Sequence, residues 1–540
     1  MKKKMTKTRI LLFLILAVGL SFTQNASATA SPCQGWYNTS YPYRLALTVS
    51  STMVSSTQAN FPFLVSTTSA SLAFTDFTGG HMGTSTANDL VVTGYDGVTK
   101  LNHEIEQYTS STGQIILFAK SPLLTSTSTI CLYYGSSTAS NQQAATSTWN
   151  DYYLNVFHLA TTSPNGMFWD SAKAVNATKV GTSTASSTGQ IDGAHWATSN
   201  ANGSGGATYT TTTATSTSFW INHTTSTTRG PLVAAPLGST NANGGFYYEP
   251  STSKLTYQQQ NTVFLRTGSV VATSTWVKFD ATYFGSTMSF YLNGVFASSS
   301  AFGAGRKFSL FGKDGTTNLY GGAIDEIRFA SSILSASYIK TAYNNESNPI
   351  AFWGTGTEDP LPNSCSTFAD DTTIGAFGWL NHANASTSDN VYATADSLID
   401  TPSYYFKATN CGFSVPAGST INGIKVEIEK KKSNAFTNIS DNSVLISKGG
   451  TLSGTEHSVS EEWGLTDTYS TYGSPTDLWG LSWTADDINS TGFGMGISII
   501  DDAVPGTASI DHIRMTVTYT AAAAAASSTI VSSQQVIFID

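Results

Sequence analysis

Apolar and polar residues alternate in short runs along most of this chain. Tyr43-Arg44-Leu45-Ala46-Leu47-Thr48-Val49, Met288-Ser289-Phe290-Tyr291-Leu292 and Ile510-Asp511-His512-Ile513-Arg514-Met515-Thr516-Val517 are examples. A period of two puts every second side chain on the same face, the mark of a half-buried strand. Thr, Ser, Val, Tyr and Phe dominate these runs, and Gly, Asn and Asp clusters separate them. Asn293-Gly294 and Asp96-Gly97, each between apolar runs, predict hairpin turns. Helical periodicity is nearly absent, and the one helix predicted is short, near Ala336 to Tyr343. Many short strands between turns predict an all-β protein built from sandwich or jelly-roll domains.

Breaks in the pattern divide the chain. Its 540 residues are too many for one core and suit about three or four domains of ~150 residues. A first strand-rich unit spans 31–146, and the Ser/Thr/Asn/Gln/Ala stretch Ser136 to Ser147 links it to the next. A second spans 149–358. Pro360-Leu361-Pro362-Asn363-Ser364 predicts a stiff linker over 359–364. A third unit spans 365–520. The Ala-rich tract from Ala521 to Ser528 reads as a tether, and 521–540 as a whole as tether and tail. The expectation is three tandem β-sandwich or jelly-roll domains after a signal peptide at 1–30.

The signal peptide rests on a basic start, an apolar run from Ile10 to Leu20, and the small-x-small sites Ala26-Ser27-Ala28 and Ala28-Thr29-Ala30. The apolar run is shorter than the ~20 residues that span a bilayer. Export and a soluble extracellular or cell-surface protein, with no membrane insertion after cleavage, are therefore expected. Residues 1–30 carry Lys2, Lys3, Lys4, Lys7 and Arg9 and no acidic residue, so their removal moves the net charge from -9 to -14. A chain with 11% charged residues and an acidic balance repels phosphate backbones, so no nucleic-acid partner is expected. Lys430-Lys431-Lys432, flanked by Glu427 and Glu429, reads as a solvated strand end. The four cysteines fall in two groups, one in each outer third, and the exported context favours disulfides. Cys33–Cys131 and Cys365–Cys411 are predicted, since the other pairings would tie distant domains together. Ser-Thr runs such as Thr224-Thr225-Ser226-Thr227-Thr228 read as uncharged strand and loop filler rather than as glycosylation sites.

Three stretches resemble known modules. Gly35-Trp36, Tyr43-Arg44, Asn60-Phe61-Pro62-Phe63-Leu64-Val65, Asn88-Asp89-Leu90, Asp96-Gly97, Leu101-Asn102-His103-Glu104-Ile105-Glu106 and Cys131-Leu132-Tyr133-Tyr134-Gly135 give the first unit its order, which resembles the extracellular DUF2341 module. That family implies no established chemistry. Val156-Phe157-His158-Leu159, Asp170-Ser171, Phe219-Trp220-Ile221, Trp276-Val277-Lys278-Phe279, Phe290-Tyr291-Leu292-Asn293-Gly294, Tyr320-Gly321-Gly322-Ala323-Ile324-Asp325-Glu326-Ile327-Arg328-Phe329 and Tyr343-Asn344-Asn345-Glu346 resemble the laminin-G-like, concanavalin A-like jelly roll. That resemblance implies a carbohydrate or extracellular protein ligand, often with Ca²⁺ at a sandwich rim. Phe413-Ser414-Val415-Pro416-Ala417-Gly418, Asp477-Leu478-Trp479-Gly480 and Ile510-Asp511-His512-Ile513 make the third unit similar to a β-sandwich of bacterial and phage surface proteins.

The jelly roll supplies the candidate residues. Asp170, Asp325 and Glu326 offer oxygens for Ca²⁺, although Asp325 and Glu326 equally suit a strand end paired with Arg328. Trp196, Tyr247, Tyr248 and Tyr257 are the candidate rings for stacking on sugars, against a plain core role. In the first unit, His103 and Ile105 share one strand face and Glu104 and Glu106 the other, which reads as a solvated or hydrogen-bonding face rather than acid–base catalysis. Ser388-Asp389-Asn390 reads as a turn. Glycoside hydrolases on this fold need paired carboxylates. No Glu-x-Asp-x-Glu string occurs in the second unit, and adjacent Asp325 and Glu326 should point to opposite sheet faces. No nucleophile elbow, metalloprotease helix or P-loop is present. The expected function is non-catalytic binding of a glycan or surface protein, with a structural spacer as the alternative and a glycoside hydrolase behind it.

Overall fold

The computed structural model describes residues 33–520 apart from 34, 150–151, 161–166, 173–175, 181–183, 187, 198–205, 225–229, 235–243, 260–261, 302–306, 312–319, 355–357 and 416. The expected signal peptide, tether and tail lie outside the described residues. The chain is all-β, in antiparallel sheets, and divides into two compact units, Ser31–Pro362 and the part from Asn363 onward. Both expected disulfides, Cys33–Cys131 and Cys365–Cys411, are formed. No helix among the described residues is long and apolar enough to cross a membrane.

The larger unit holds a sandwich and a jelly roll that share buried surfaces. In the sandwich, Tyr43–Val49 pairs with Thr129–Tyr134, which pairs in turn with Val91–Thr93. A three-stranded sheet, Gln58–Thr68, Gln114–Leu124 and His103–Thr109, lies opposite. Its alternation is buried on both faces. Phe61, Phe63, Val65, Ile115 and Leu117 enter the sandwich core. Leu64, Ile116 and Phe118 pack instead with Trp149, Tyr153, Val156 and Ala330 of the jelly roll. Each such side chain contributes about 1.5–3 kcal/mol by leaving water, so the second cluster joins the two layers.

The jelly roll consists of two eight-stranded sheets around Phe157, Phe219, Phe246, Tyr257, Phe279 and Phe290. One sheet turns Trp220, Lys278, Asp280 and Arg328 away from that core. This outer face is not solvated. The predicted helix, observed over Ala336–Ser347, covers part of it. Ser335 caps the helix by accepting from the Tyr338 N–H. Asn345, near its end, donates to the Leu64 carbonyl and accepts the Leu64 N–H, filling the free edge of the three-stranded sheet.

The segment expected as a linker begins inside the fold. Trp353–Gly354 and Glu358–Pro360 both pair with Tyr43–Val49. Arg44 donates to Asp359 at 2.6 and 2.9 Å, and the Tyr134 hydroxyl donates to Glu358 at 2.8 Å. Pro360 is tolerated because it ends an edge strand, where no ladder N–H is missed. The first and second sequence units are thus closed into one body, and the chain leaves it only at about Pro362.

The second compact unit is a sandwich of two five-stranded sheets. Ile424, Val426, Ile428, Trp479, Phe493, Ile497 and Ile513 fill its core. The basic run departs from the expected solvated end. Lys430 is buried and donates to Asp441 at 2.6 Å, and Lys432 is buried and donates to the Thr437 carbonyl. Lys430 and Lys432 continue the alternation that buries Ile428, and the register shift at this point puts its extra residue, Asp511, on the partner strand.

Candidate functional site

The charges of the larger unit converge where strand His103–Thr109 meets the jelly roll. Glu104 and Glu106 do share one face, as alternation predicts, but that face is covered rather than solvated. Their side chains are 13% and 4% exposed. Glu104 accepts from Trp149 Nε1 at 2.7 Å and from the Ser171 hydroxyl at 2.5 Å. Its third neighbour is His158, whose Nε2 lies 3.4 Å away. His158 Nδ1 faces Glu326 at 2.7 Å and Glu106 at 3.7 Å. Glu326 also binds Arg328, and Arg328 binds Glu346, which takes further donors from Lys278 and Trp220 Nε1. The Arg328 guanidinium lies against the rings of Phe118 and Trp149 at 5.0 and 4.9 Å.

The surroundings set the protonation of these groups. Burial pushes the Glu106 carboxyl well above its ordinary range, and Glu326, Asp325 and Asp192 push it further against the pull of His158. Burial, reinforced by Glu326, likewise raises Asp325. Burial alone would lower His158, but Glu326, Glu106 and Glu104 outweigh it and hold the imidazole well above its usual range. Burial would raise Glu346 too, yet Arg328 and Lys278 bring it down to about 2.

The sequence candidates are distributed unevenly. Asp325 and Glu326 belong to this cluster and Asp170 does not share their ligand geometry. Asp170 accepts from the N–H groups of Val156 and Ala172 and from Asn155 Nδ2, so it holds a loop. Asp325 Oδ2 accepts from the N–H groups of Gln190 and Ile191. Glu326 is engaged by an imidazole and a guanidinium. Ca²⁺ asks for roughly six to eight oxygens, and these three carboxylates, spread over separate partners, do not fit it as one set. The expectation that Asp325 and Glu326 point to opposite faces also fails. Trp220 pairs with Asp325 and Ser218 with Arg328, so Glu326 and Ile327 oppose the single residue Phe219. Glu326 takes a left-handed φ of 52° in this bulge, which breaks the alternation.

The candidate sugar platforms are core residues where their side chains are described. Tyr257 is fully buried beside Phe246, Tyr248 is buried with its ring centroid 3.4 Å from that of His223, and Tyr247 is buried as well. Their covered rings present no face to a ligand. The Trp196 side chain lies outside the described residues. The sequence reading passed over Trp169, which follows strand Met167–Phe168 and is 57% exposed. It also left His158, Arg328, Lys278 and Glu346 as pattern residues. Their signal was a cation set among apolar strand neighbours, as in Val277-Lys278-Phe279 and Ile327-Arg328-Phe329, where burial requires a partner.

Two jelly-roll sheets around an aromatic core agree with the sequence comparison. Residues 192–340 match a laminin-G-type family model described as the concanavalin A-like lectin/glucanases superfamily. No curated protein matches the chain. Among solved structures, domain 4 of AbnA, a GH43 extracellular arabinanase from Geobacillus stearothermophilus in complex with arabinotriose, is similar at 17% identity. The likeness covers 35% of this chain and 98% of that one, with a TM-score of 0.29. Trypanosoma rangeli sialidase is 11% identical over 47% of this chain and 46% of its own, with a TM-score of 0.29. The binding domain of Paraclostridial Mosquitocidal Protein 1 is 14% identical over 48% and 64%, again at 0.29. At these identities and scores none of the three informs what this chain does.

Proposed function

We propose that this is an exported, non-catalytic binding protein whose jelly roll recognises a carbohydrate. The observation that carries the reading is the match of 192–340 to the lectin/glucanase superfamily, taken with the state of the carboxylates where the jelly roll meets the first sandwich. Fold alone grants no activity. Glu106 and Glu326 stand close enough for acid–base hydrolysis. Both are enclosed, however, and Glu326 is held by His158 and Arg328. A sugar has no approach to carboxylates so covered, which favours recognition over cleavage. Two formed disulfides suit an oxidising compartment.

Trp169 is the ring we assign to sugar stacking, because an exposed indole offers a broad apolar face. The test is a glycan array on the exported chain and on Trp169→Ala. Saturable binding that falls by at least roughly tenfold in the variant, about 1.4 kcal/mol, is the expected result. No glycan retained by the wild-type chain would sink the reading. Release of shortened glycan from the array would show a hydrolase instead. A spacer role is the second reading, favoured by the pairing of Trp353–Gly354 and Glu358–Pro360 with the first sandwich, which makes 31–362 one body.

A further inference from the structure

We infer that Glu106, His158 and Glu326 form a site for a divalent transition metal that clamps the first sandwich to the jelly roll. One ligand atom from each lies within 4.8 Å of the others. Glu106 comes from the first sandwich, while His158 and Glu326 come from the jelly roll. The independent sign of a missing ligand is Glu106. Its side chain is 4% exposed, and neither carboxylate oxygen has a hydrogen-bond partner among the described residues. Asp325, fully buried beside the cluster, has Oδ1 in the same condition. Buried carboxylate oxygens are costly unless something engages them.

The outer partners are arranged as a metal site requires. An imidazole that binds metal through one nitrogen is normally held through the other by a carboxylate. Glu104 stands 3.4 Å from His158 Nε2 and is itself fixed by Trp149 and Ser171. That arrangement turns Nδ1 toward Glu106 and Glu326. Arg328 fixes Glu326 from behind. A divalent ion would take the place of the proton that the surrounding carboxylates hold on His158, leaving a neutral imidazole and two carboxylates whose two negative charges match it. The nitrogen ligand and small ligand number suit Zn²⁺ or Co²⁺ rather than Ca²⁺. Trp169 is not one of the three ligands, so the clamp stands whether or not the protein binds sugar.

The experiment uses the exported full chain, untagged, stripped with EDTA and dialysed. Zn²⁺ is titrated by calorimetry, Co²⁺ by its visible absorption, and metal content is measured by mass spectrometry. Saturable binding at this site, lost by at least ~100-fold in Glu106→Gln and weakened ~10–100-fold in Glu104→Gln, is expected. Circular dichroism checks that the variants fold, and Glu104→Gln, which keeps all three ligands, serves if Glu106→Gln does not. Asp467→Asn tests the other carboxylate group, Glu429, Asp467 and Asp511, and should leave this binding unchanged. Absence of saturable Zn²⁺ or Co²⁺ binding by the wild-type chain overturns the inference. So does binding that survives Glu106→Gln, or that is lost only in Asp467→Asn.

Discussion

Replacing Arg328 with methionine should unlock the larger unit, because two buried carboxylates would lose the cation they share. Arg328 is almost completely buried and reaches Glu346 at 2.5 Å while also binding Glu326. Removing one partner of a buried pair costs about 3–5 kcal/mol, since the other charge stays desolvated. The guanidinium contacts with Phe118 and Trp149 add roughly 1 kcal/mol, part of which the methionine side chain replaces. Lys278 and His158 remain beside the orphaned groups and keep the loss near the lower end. A loss of about 4 kcal/mol should lower the Tm of a unit this large by roughly 6 °C and move the urea midpoint by roughly 1 M. Urea unfolding followed by tryptophan emission is the assay, because Trp149 and Trp220 sit in the network. Arg328→Met combined with Glu326→Gln should recover part of the loss, since one uncompensated charge is then gone. A destabilisation under about 1 kcal/mol in the single variant, or no recovery in the double, would refute the view that this network joins the layers.

Other outcomes follow from the same reasoning. Glu346 is held at about 2 against an ordinary 4.5. Its contribution, about 3 kcal/mol, is present above pH 4.5 and lost as pH falls toward 2; Glu346→Gln should flatten this acid limb of a stability–pH curve. Reducing Cys365–Cys411, which closes a loop of 46 residues, should lower the stability of the second unit by about 4 kcal/mol in the chain-entropy account. Unchanged melting in dithiothreitol, with thiols titrated to confirm reduction, would contradict it. Tyr257→Ala should cost about 3–5 kcal/mol as a core truncation. It should leave glycan affinity of the folded fraction unchanged, and a selective loss of affinity without destabilisation would return this ring to the binding surface.

What was legible in the sequence was mostly local. Period-two runs, Asn-Gly turns and the helix near Ala336 are set by steric and solvation preferences of neighbouring residues, and they suffice for an all-β chain. The disulfides were legible because loop closure favours near pairs. Candidate carboxylates Asp325 and Glu326 stood out because they sit in the closing signature of the jelly-roll resemblance. Their true partners did not. His158 lies 168 positions from Glu326, and Trp220 lies 126 positions from Glu346. Nothing local marks such pairs. Tyr247, Tyr248 and Tyr257 looked like ligand platforms because an aromatic ring reads the same in a core and on a rim.

The sequence by itself determined that this chain forms antiparallel sheets, with alternating faces that must be buried or wetted. Tertiary structure decided which. It covered the charged face of one jelly-roll sheet with a helix and a neighbouring sandwich, and that cover turned solvated carboxylates into a desolvated network. It returned Glu358–Pro360 to the edge of Tyr43–Val49, making a strand where proline spacing had suggested a linker. It inserted one residue at Glu326, which reversed the direction of a side chain that alternation had fixed. The physical reason is common to all three. Alternation specifies a face, but only packing specifies what lies against it, and the cost of burying a charge depends on that neighbour.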